Sequence, residues 1–299
     1  MILVVGSTGY VGAAVVRKLA AKGKTVVALV RDAGAAKARA LQAQGARLVV
    51  GDLKDAPSLE RALNGVNTVI CTASSTLSRR EGDSLESVDG KGVQSLIDMA
   101  ERKGVGRFIY VSFSRNMPSD FPLAEYKRAA ERRLEASKLD QTILLPSCFA
   151  ETWLSPALGF DVAAGTVRVY GDGKAKLSYI GLEDVASGVV ACVDNPAASR
   201  KAIPMGGPKA YSQLEAIALV ERATGKQLAR EHMTGEQIKA ARAGAPDPMT
   251  ASFLGLFDAV SRGDEIPTDW THTLGVQPTS LEDWVAGAFG EVQGRERLE

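Results

Sequence analysis

The first residues that could do chemistry form a glycine-rich run, which reads Gly6, Ser7, Thr8, Gly9, Tyr10, Val11 and Gly12. This GxxGxxG spacing follows an apolar segment at 2–5 and opens a stretch with helical periodicity at 11–21. A pyrophosphate binds backbone N–H groups at a helix N-terminus, and side chains in such a turn would block its approach. Glycine allows the tight turn at position 6, the close approach at position 9 and helix–sheet packing at position 12. The run therefore predicts a dinucleotide-binding turn, and a glycine turn without a ligand is the alternative.

The residues after the second apolar segment bear on which dinucleotide binds. That segment ends at Val30 and is followed by Arg31 and Asp32. An arginine here can stack on adenine or bind the 2′-phosphate of NADP, whereas NAD enzymes usually place a carboxylate there for the ribose hydroxyls. We expect NADP, with NAD possible. Asp32 could be only the N-cap of the next helix, and a solvated Arg31 is the alternative.

Two further apolar segments end in residues that could contact the adenine and the nicotinamide ribose of a dinucleotide. Asp52 and Leu53 follow the third segment, where the carboxylate could accept from the adenine amino group or cap the following helix. Ala73 and Ser74 follow the fourth segment and are small enough to let a nicotinamide ribose pass close. We therefore expect all four residues at the coenzyme site.

Composition excludes several classes of function. The chain has 299 residues and a net charge of +1, from 36 basic and 35 acidic residues, so no global field favours nucleic acid or an anionic membrane. No apolar run approaches the roughly 18 residues that a membrane helix needs. Two isolated histidines, His232 and His272, make a zinc site or a histidine relay improbable, and we expect no metal. With no targeting segment recognised at Met1, we expect a cytoplasmic protein.

The alternation of apolar and helical segments predicts the fold. Strands are expected at 2–5, 25–30, 47–50, 66–71, 108–112 and 141–145, and helices at 11–21, 35–44, 58–63, 85–102 and 124–137. Apolar strands flanked by helices indicate an α/β fold with a doubly wound parallel sheet, the Rossmann arrangement. We expect a dinucleotide-binding domain at 1–150, to which 181–204 returns. A smaller, mostly helical substrate-binding lobe is expected at 151–299, with a solvated tail at 296–299.

Together these motifs resemble the NmrA-like branch of the atypical short-chain dehydrogenase/reductases. The resemblance covers about the first 195 residues. It is carried by GSTGYVG, VRD, GDL, FIYVSFS, KRAAERRLEASKLDQTILLPSCF and YGDGKAKLSYIGLEDVA. It implies a Rossmann fold and an NAD(P) coenzyme. It is less specific for activity, because the branch holds reductases, quinone oxidoreductase-like enzymes and inactive redox-sensing regulators.

The resemblance also implies roles for residues near the nicotinamide. Lys127 matches the lysine of the superfamily's Tyr-x-x-x-Lys signature, but the tyrosine position holds Leu123. Lys127 is then either the proton-transfer group or a ribose ligand in a protein without turnover, and a solvated cation is the alternative. Ser112 and Ser114 end the fifth strand, where a hydroxyl could polarise a substrate carbonyl or merely end the strand.

The loop after the sixth strand covers the nicotinamide carboxamide in the family. Here that loop contains Pro146, Ser147 and Phe149, while Leu145 stands where the family usually has arginine. Cys148 in the same loop is expected to be a buried, small apolar residue rather than a nucleophile. Aromatic residues of the second half are expected either to line a substrate pocket or to belong to the core: Trp153, Phe160, Phe253, Phe257 and Trp270.

The favoured function is hydride transfer between NADPH and a small carbonyl, quinone or enone. The alternative from another class is a non-catalytic NADP(H) sensor that binds a protein partner. A nucleotide-sugar epimerase ranks third, because that reaction needs the phenolate that Leu123 replaces.

Overall fold

A computed structural model describes residues 1–76, 78 and 80–290, so the predicted tail at 296–299 lies outside the described residues. The strands are β1 (Ile2–Val5), β2 (Val26–Val30), β3 (Arg47–Val50), β4 (Thr68–Cys71), β5 (Arg107–Val111), β6 (Asp140–Pro146), β7 (Phe160–Asp161), β8 (Thr166–Tyr170), β9 (Lys176–Leu177), β10 (Lys201–Met205), β11 (Tyr211–Ser212) and β12 (Ala229–Met233). The α-helices are α1 (Tyr10–Ala21), α2 (Ala36–Ala43), α3 (Ala56–Ala62), α4 (Val93–Arg102), α5 (Pro122–Glu135), α6 (Ala150–Trp153), α7 (Leu182–Ala191), α8 (Gln213–Thr224), α9 (Gly235–Ala243), α10 (Pro248–Arg262), α11 (Trp270–Leu274) and α12 (Leu281–Phe289).

The main sheet of the described chain has seven parallel strands in the order β10-β6-β5-β4-β1-β2-β3. The chain runs from β1 through β2 to β3 at one edge and then returns to β4 on the other side of β1. In open α/β sheets, ligands bind outside the carboxyl ends of the strands where the order reverses. The predicted doubly wound fold is therefore confirmed, and its strand order reverses between β1 and β4.

Helices cover both faces of this sheet, and the strands alternate between two cores. Ile2 and Val4 point into a core that includes residues of α1, α2 and α7. Leu3 and Val5 point into a second core with residues of α3, α4 and α5. Successive side chains of a strand point to opposite faces, so apolar residues at every position of β1 bury both faces.

The C-terminal part adds to the sheet and builds a separate lobe. Strand β10 pairs in parallel with β6 at the sheet edge. The lobe contains a three-stranded sheet (β12-β8-β7), a two-stranded sheet (β11-β9) and a third apolar core. Strand β12 was not expected, because its sequence AREHM is polar and mostly exposed, without apolar alternation. The boundary at residue 150 and the substrate-binding role of the lobe stay predictions.

Among the helices of the described residues, none combines the length and apolar character needed to cross a bilayer.

Candidate active site

The glycine run forms a tight turn that leaves no room for side chains at two positions. Gly6 has φ +82°, and a Cβ there would lie 2.7 Å from the Ala73 nitrogen. A Cβ at Gly12 would lie 2.2 Å from the Gly6 carbonyl oxygen. At Gly9 the nearest atom would be 3.2 Å away, and its N–H donates to the Gly6 carbonyl. Glycine at positions 6 and 12 thus lets β1, α1 and the end of β4 pack closely.

The N-terminus of α1 is suited to an anion. In the part of the chain that the structure describes, no side chain caps Gly9, and the first turn of α1 contains no acidic residue. Gly9 and Tyr10 are exposed, while Thr8 and Val11 are partly exposed. Free N–H groups and the helix dipole at such a terminus attract phosphate groups. The turn therefore fits the pyrophosphate of a dinucleotide.

Ser7 has a structural contact within this turn. Its side chain is buried, and its hydroxyl donates to the Leu29 carbonyl over 2.7 Å. This bond ties the glycine turn to β2. The Ser7 backbone can still contribute to the turn, but its hydroxyl proton is already donated to the Leu29 carbonyl.

Arg31 lies after β2 beside a charge cluster that sequence reasoning did not include. Its Nη1 is 2.5 Å from Asp83 Oδ2, and Lys54 Nζ is 2.5 Å from Asp83 Oδ1. The hydroxyl of Ser78 also donates to Asp83. Burial would raise the pKa of Asp83, but the hydrogen bonds from Lys54, Ser78 and Arg31 together lower it to about 2. Two cations thus lie together where the sequence predicted one.

The neighbouring carboxylates of Asp32 and Asp52 accept hydrogen bonds from backbone N–H groups of their own loops. Asp32 Oδ1 accepts from the Gly34 N–H over 2.8 Å, within the loop before α2. The alternative that Asp32 is the N-cap of this helix is wrong, because Ala35 holds that position. Asp52 Oδ1 accepts from the Lys54 N–H over 2.9 Å. Leu53 is buried near Gly92, where a Cβ would lie 2.9 Å from the Leu53 Cβ. The adenine contacts expected of Asp52 and Leu53 stay predictions.

Lys127 lies in a buried ion pair. Its side chain is 7% exposed, and Nζ lies 3.5 Å from Asp89 Oδ1. Nζ also donates to the Ala73 carbonyl over 3.3 Å, at the carboxyl end of β4. This burial is at odds with the alternative of a solvated helix cation. Lys127 instead places a positive charge at the carboxyl ends of the strands, where the glycine turn also lies.

Asp89 is the partner that sequence reasoning missed. Its side chain is fully buried, and Oδ2 accepts from both the N–H and the hydroxyl of Ser75, over 2.9 and 2.7 Å. Oδ1 has no hydrogen-bond partner among the described residues. Asp89 belongs to a π-helical segment (Leu85–Gly92) that precedes α4, where a continuous α-helix was expected. Such segments occur often at functional sites.

Leu123 lies in the first turn of α5, within an apolar cluster. It is buried with Leu85, Phe121 and Ala124, and its N–H donates to Ser252 Oγ of α10 over 3.0 Å. The position of the missing tyrosine is therefore filled by an aliphatic side chain and covered by the lobe. Tyr126 does not replace it, because its ring packs on Gly90, where a Cβ would lie 2.7 Å from the ring.

Ser112 and Ser114 both donate to buried carboxylates. The Ser112 hydroxyl donates to Glu131 over 2.5 Å, and the Ser114 hydroxyl donates to Asp264 over 2.7 Å. Asn116 donates to the same Asp264 oxygen over 3.0 Å. A hydroxyl has one proton to donate, so polarising a substrate carbonyl would require either serine to leave its carboxylate. That role stays a prediction.

The loop after β6 joins the sheet to the lobe. The Pro146 carbonyl accepts from the Ser114 N–H, and the Ser147 N–H donates to the Met205 carbonyl, each over 2.9 Å. Phe149 forms a parallel bridge with Ile180. Burial, followed by the Asp264 carboxylate, raises the pKa of the Cys148 thiol well above its usual value. Cys148 is therefore a poor nucleophile, in keeping with the expected packing role.

Most of the aromatic candidates belong to apolar cores or pack against them. Phe160 and Trp270 are buried and belong to apolar cores. Trp153 and Phe257 form a cluster with Tyr170, with ring centroids 4.2 to 6.2 Å apart. Phe253 is partly exposed on α10.

Ser74, which follows β4, is exposed, and its hydroxyl lies 3.4 Å from that of Thr76.

Comparison with known proteins bears on the family of the chain. The chain is 30% identical to an NAD(P)H azoreductase of Xenophilus azovorans over 254 residues, which cover 83% of this chain and 82% of that one. It is 31% identical to the photosystem II assembly factor Ycf39 of Synechocystis over 225 residues, 75% of this chain and 68% of that one. A solved structure of an NADPH-dependent quinone oxidoreductase of Escherichia coli, in complex with NADPH, has a similar fold, with a TM-score of 0.79 and 23% sequence identity. The superposition covers 97% of this chain and all of the other.

The predicted class of coenzyme agrees with the azoreductase relative, which is named for NAD(P)H. The predicted resemblance is likewise confirmed by a match to the NmrA-like family over residues 1–284. With its open glycine turn, its buried lysine and this match, the chain belongs to the NmrA-like family.

Proposed function

We propose that this chain is an NADPH-dependent oxidoreductase that reduces a small, rather apolar carbonyl, quinone or enone. The observation that carries the proposal is the placement of Lys127. Its ammonium is buried between Asp89 and the Ala73 carbonyl, on the sheet edge that also carries the open glycine turn. The similarity to an NAD(P)H azoreductase supports the same class of reaction.

The coenzyme would be held along the carboxyl ends of the strands. The backbone of Gly6–Gly12 would bind the pyrophosphate, and Arg31 the 2′-phosphate. The remaining proposed contacts are Asp52 and Leu53 at the adenine, Ala73, Ser74 and Lys127 at the nicotinamide ribose, and Pro146, Ser147 and Phe149 at the carboxamide. When bound, NADPH supplies the hydride, while the protein supplies orientation and charge.

Lys127, or a water that it holds, is the proposed source of the proton that the reduced substrate takes up. The residue four positions earlier is Leu123, so no phenol is available there. The Asp89 carboxylate balances the buried ammonium and fixes its position. Ser112 or Ser114 would assist by polarising the substrate oxygen after releasing its carboxylate.

The apolar cluster at the N-terminus of α5 favours an apolar substrate. Leu123 and Phe121 are buried, and Phe113, Met249 and Leu256 pack against them. The Phe113 and Phe121 rings stack with centroids 6.1 Å apart. Only the partly exposed side chains among these, Phe113, Met249 and Leu256, offer surface to a substrate. Apolar surface of this kind suits an apolar molecule better than a polar sugar, which supports a quinone over a nucleotide sugar.

A second candidate is a non-catalytic NADP(H)-binding regulator with a protein partner. The aliphatic Leu123 favours it, as does the similarity to a protein named as an assembly factor. A nucleotide-sugar epimerase ranks below both, for lack of the phenol. The cytoplasmic location and the protein partner stay predictions.

One set of measurements separates these functions. Calorimetry would measure NADPH binding, and absorbance at the NADPH band would follow its oxidation with quinones, azo dyes and ketones. Binding with turnover supports the reductase. Binding without turnover on any acceptor favours the regulator, and no binding of NADPH or NADH refutes both.

A further inference from the structure

A nearly buried carboxylate lies between two cations at the ends of β2 and β3. The side chain of Asp83 is 3% exposed, whereas those of Arg31 and Lys54 are 39% and 28% exposed. Each Asp83 oxygen is 2.5 Å from one cation, Oδ1 from Lys54 and Oδ2 from Arg31. The carboxylate is thus covered by the very groups that a phosphate at this edge would contact.

We infer that Asp83 limits the preference for NADPH over NADH, because its carboxylate competes with the 2′-phosphate for Arg31 and Lys54. The inference rests on the proposed function, because it requires that a nicotinamide coenzyme binds at this edge. A 2′-phosphate carries nearly two negative charges at neutral pH. Arg31, Lys54 and Asp83 together carry a net charge of +1, which would be +2 without Asp83. Asp52, whose Oδ2 lies 4.0 Å from Lys54 Nζ, adds the same negative charge in both cases.

The carboxylate of Asp83 stays charged near neutral pH. Its hydrogen bonds to Lys54, Ser78 and Arg31 outweigh burial and hold its pKa at about 2. The carboxylate therefore does not release the cations by taking up a proton near neutral pH. NADH has no phosphate at this position, so its binding should not depend on the competition.

The test is to measure the dissociation constants of NADPH and NADH by their fluorescence, for the whole chain and for Asp83→Asn. Asparagine keeps the size of the side chain and one oxygen that can accept from Ser78. Removing one charge near the phosphate should tighten NADPH binding on the order of tenfold and leave NADH within threefold. Asp83→Glu, which retains the charge, should bind NADPH as the unmodified chain does.

Asp55→Asn is the matched control, because Asp55 is an exposed carboxylate next to Lys54 in the sequence. The same change of charge there should leave the NADPH to NADH ratio unaltered. Unchanged or weaker NADPH binding by Asp83→Asn, or an equal change for NADH, overturns the inference while the proposed function stands. If the unmodified chain binds neither coenzyme, the proposed function fails and this inference fails with it.

Discussion

The buried pair of Asp89 and Lys127 makes a prediction about stability. Asp89→Asn keeps the size of the side chain and one oxygen that can accept from Ser75. It removes the charge 3.5 Å from Lys127 Nζ and leaves a buried ammonium whose remaining neighbours, the Ala73 carbonyl and the Tyr110 ring, carry no net charge. The substitution should therefore destabilise the protein much more than an exposed Asp→Asn change.

The expected size follows from the distance. Two unit charges 3.5 Å apart interact by about 5 kcal/mol at an effective dielectric constant of about 20. Part of this offsets the cost of taking both charges out of water, but removing one partner leaves the other uncompensated, at about 3–5 kcal/mol. We expect Asp89→Asn to lower the free energy of unfolding by about 3 kcal/mol, a large share of a typical stability of about 5–15 kcal/mol.

The assay is urea unfolding followed by tryptophan fluorescence, on Asp89→Asn, Lys127→Met and the double variant. Lys127→Met should also be destabilising, because it leaves the Asp89 carboxylate buried and unpaired. The double variant should be more stable than the sum of the single effects predicts, by about 2 kcal/mol. A loss below about 1 kcal/mol for Asp89→Asn, or strict additivity, would show that the two groups do not act as a pair.

Four further changes test the site. Lys127→Ala should abolish turnover but leave binding of adenosine 2′,5′-bisphosphate nearly intact, and unchanged turnover would remove this lysine from the mechanism. Arg31→Ala should weaken NADPH binding far more than NADH binding, measured by fluorescence titration; equal losses would refute its role at the 2′-phosphate. Gly12→Ala places a Cβ 2.2 Å from the Gly6 carbonyl, so coenzyme binding measured by calorimetry should be lost. Leu123→Tyr overpacks a buried cluster and should cost about 1–3 kcal/mol in urea unfolding without raising turnover, and a gain in rate would show that the site still accepts the phenol.

The sheet and the glycine turn could be predicted because their signals are local. Every residue of β1 is apolar and buried, which is the pattern of a strand covered on both faces. The glycines of the turn stand at positions where a Cβ has no room, as at Gly6 and Gly12. Strand β12 lacks such a signal, since four of its five residues are exposed, although it pairs in parallel with β8 along its whole length.

The contacts that define the site are less local, which is why sequence reasoning missed several of them. Asp89 lies 38 positions before Lys127 in a segment whose pattern indicates an ordinary amphipathic helix. Its pairing depends on the π-helical segment and on the fold of β4 and α5. Asp83 and Asp264 are similar cases, because each carboxylate meets partners brought from distant segments.

The Asp89–Lys127 pair also bears on how the proposed reduction obtains its proton. If Lys127 gave up its proton, the Asp89 carboxylate would remain buried beside a neutral amine, which is costly at 3.5 Å. That cost favours an ammonium that stays charged, holds the ribose and stabilises a developing oxyanion, with a water as the immediate proton source. The two roles respond oppositely to Asp89→Asn at neutral pH. An electrostatic role predicts slower turnover, because the ammonium loses the group that positions it. A direct acid predicts equal or faster turnover, because its deprotonation no longer leaves a buried carboxylate alone.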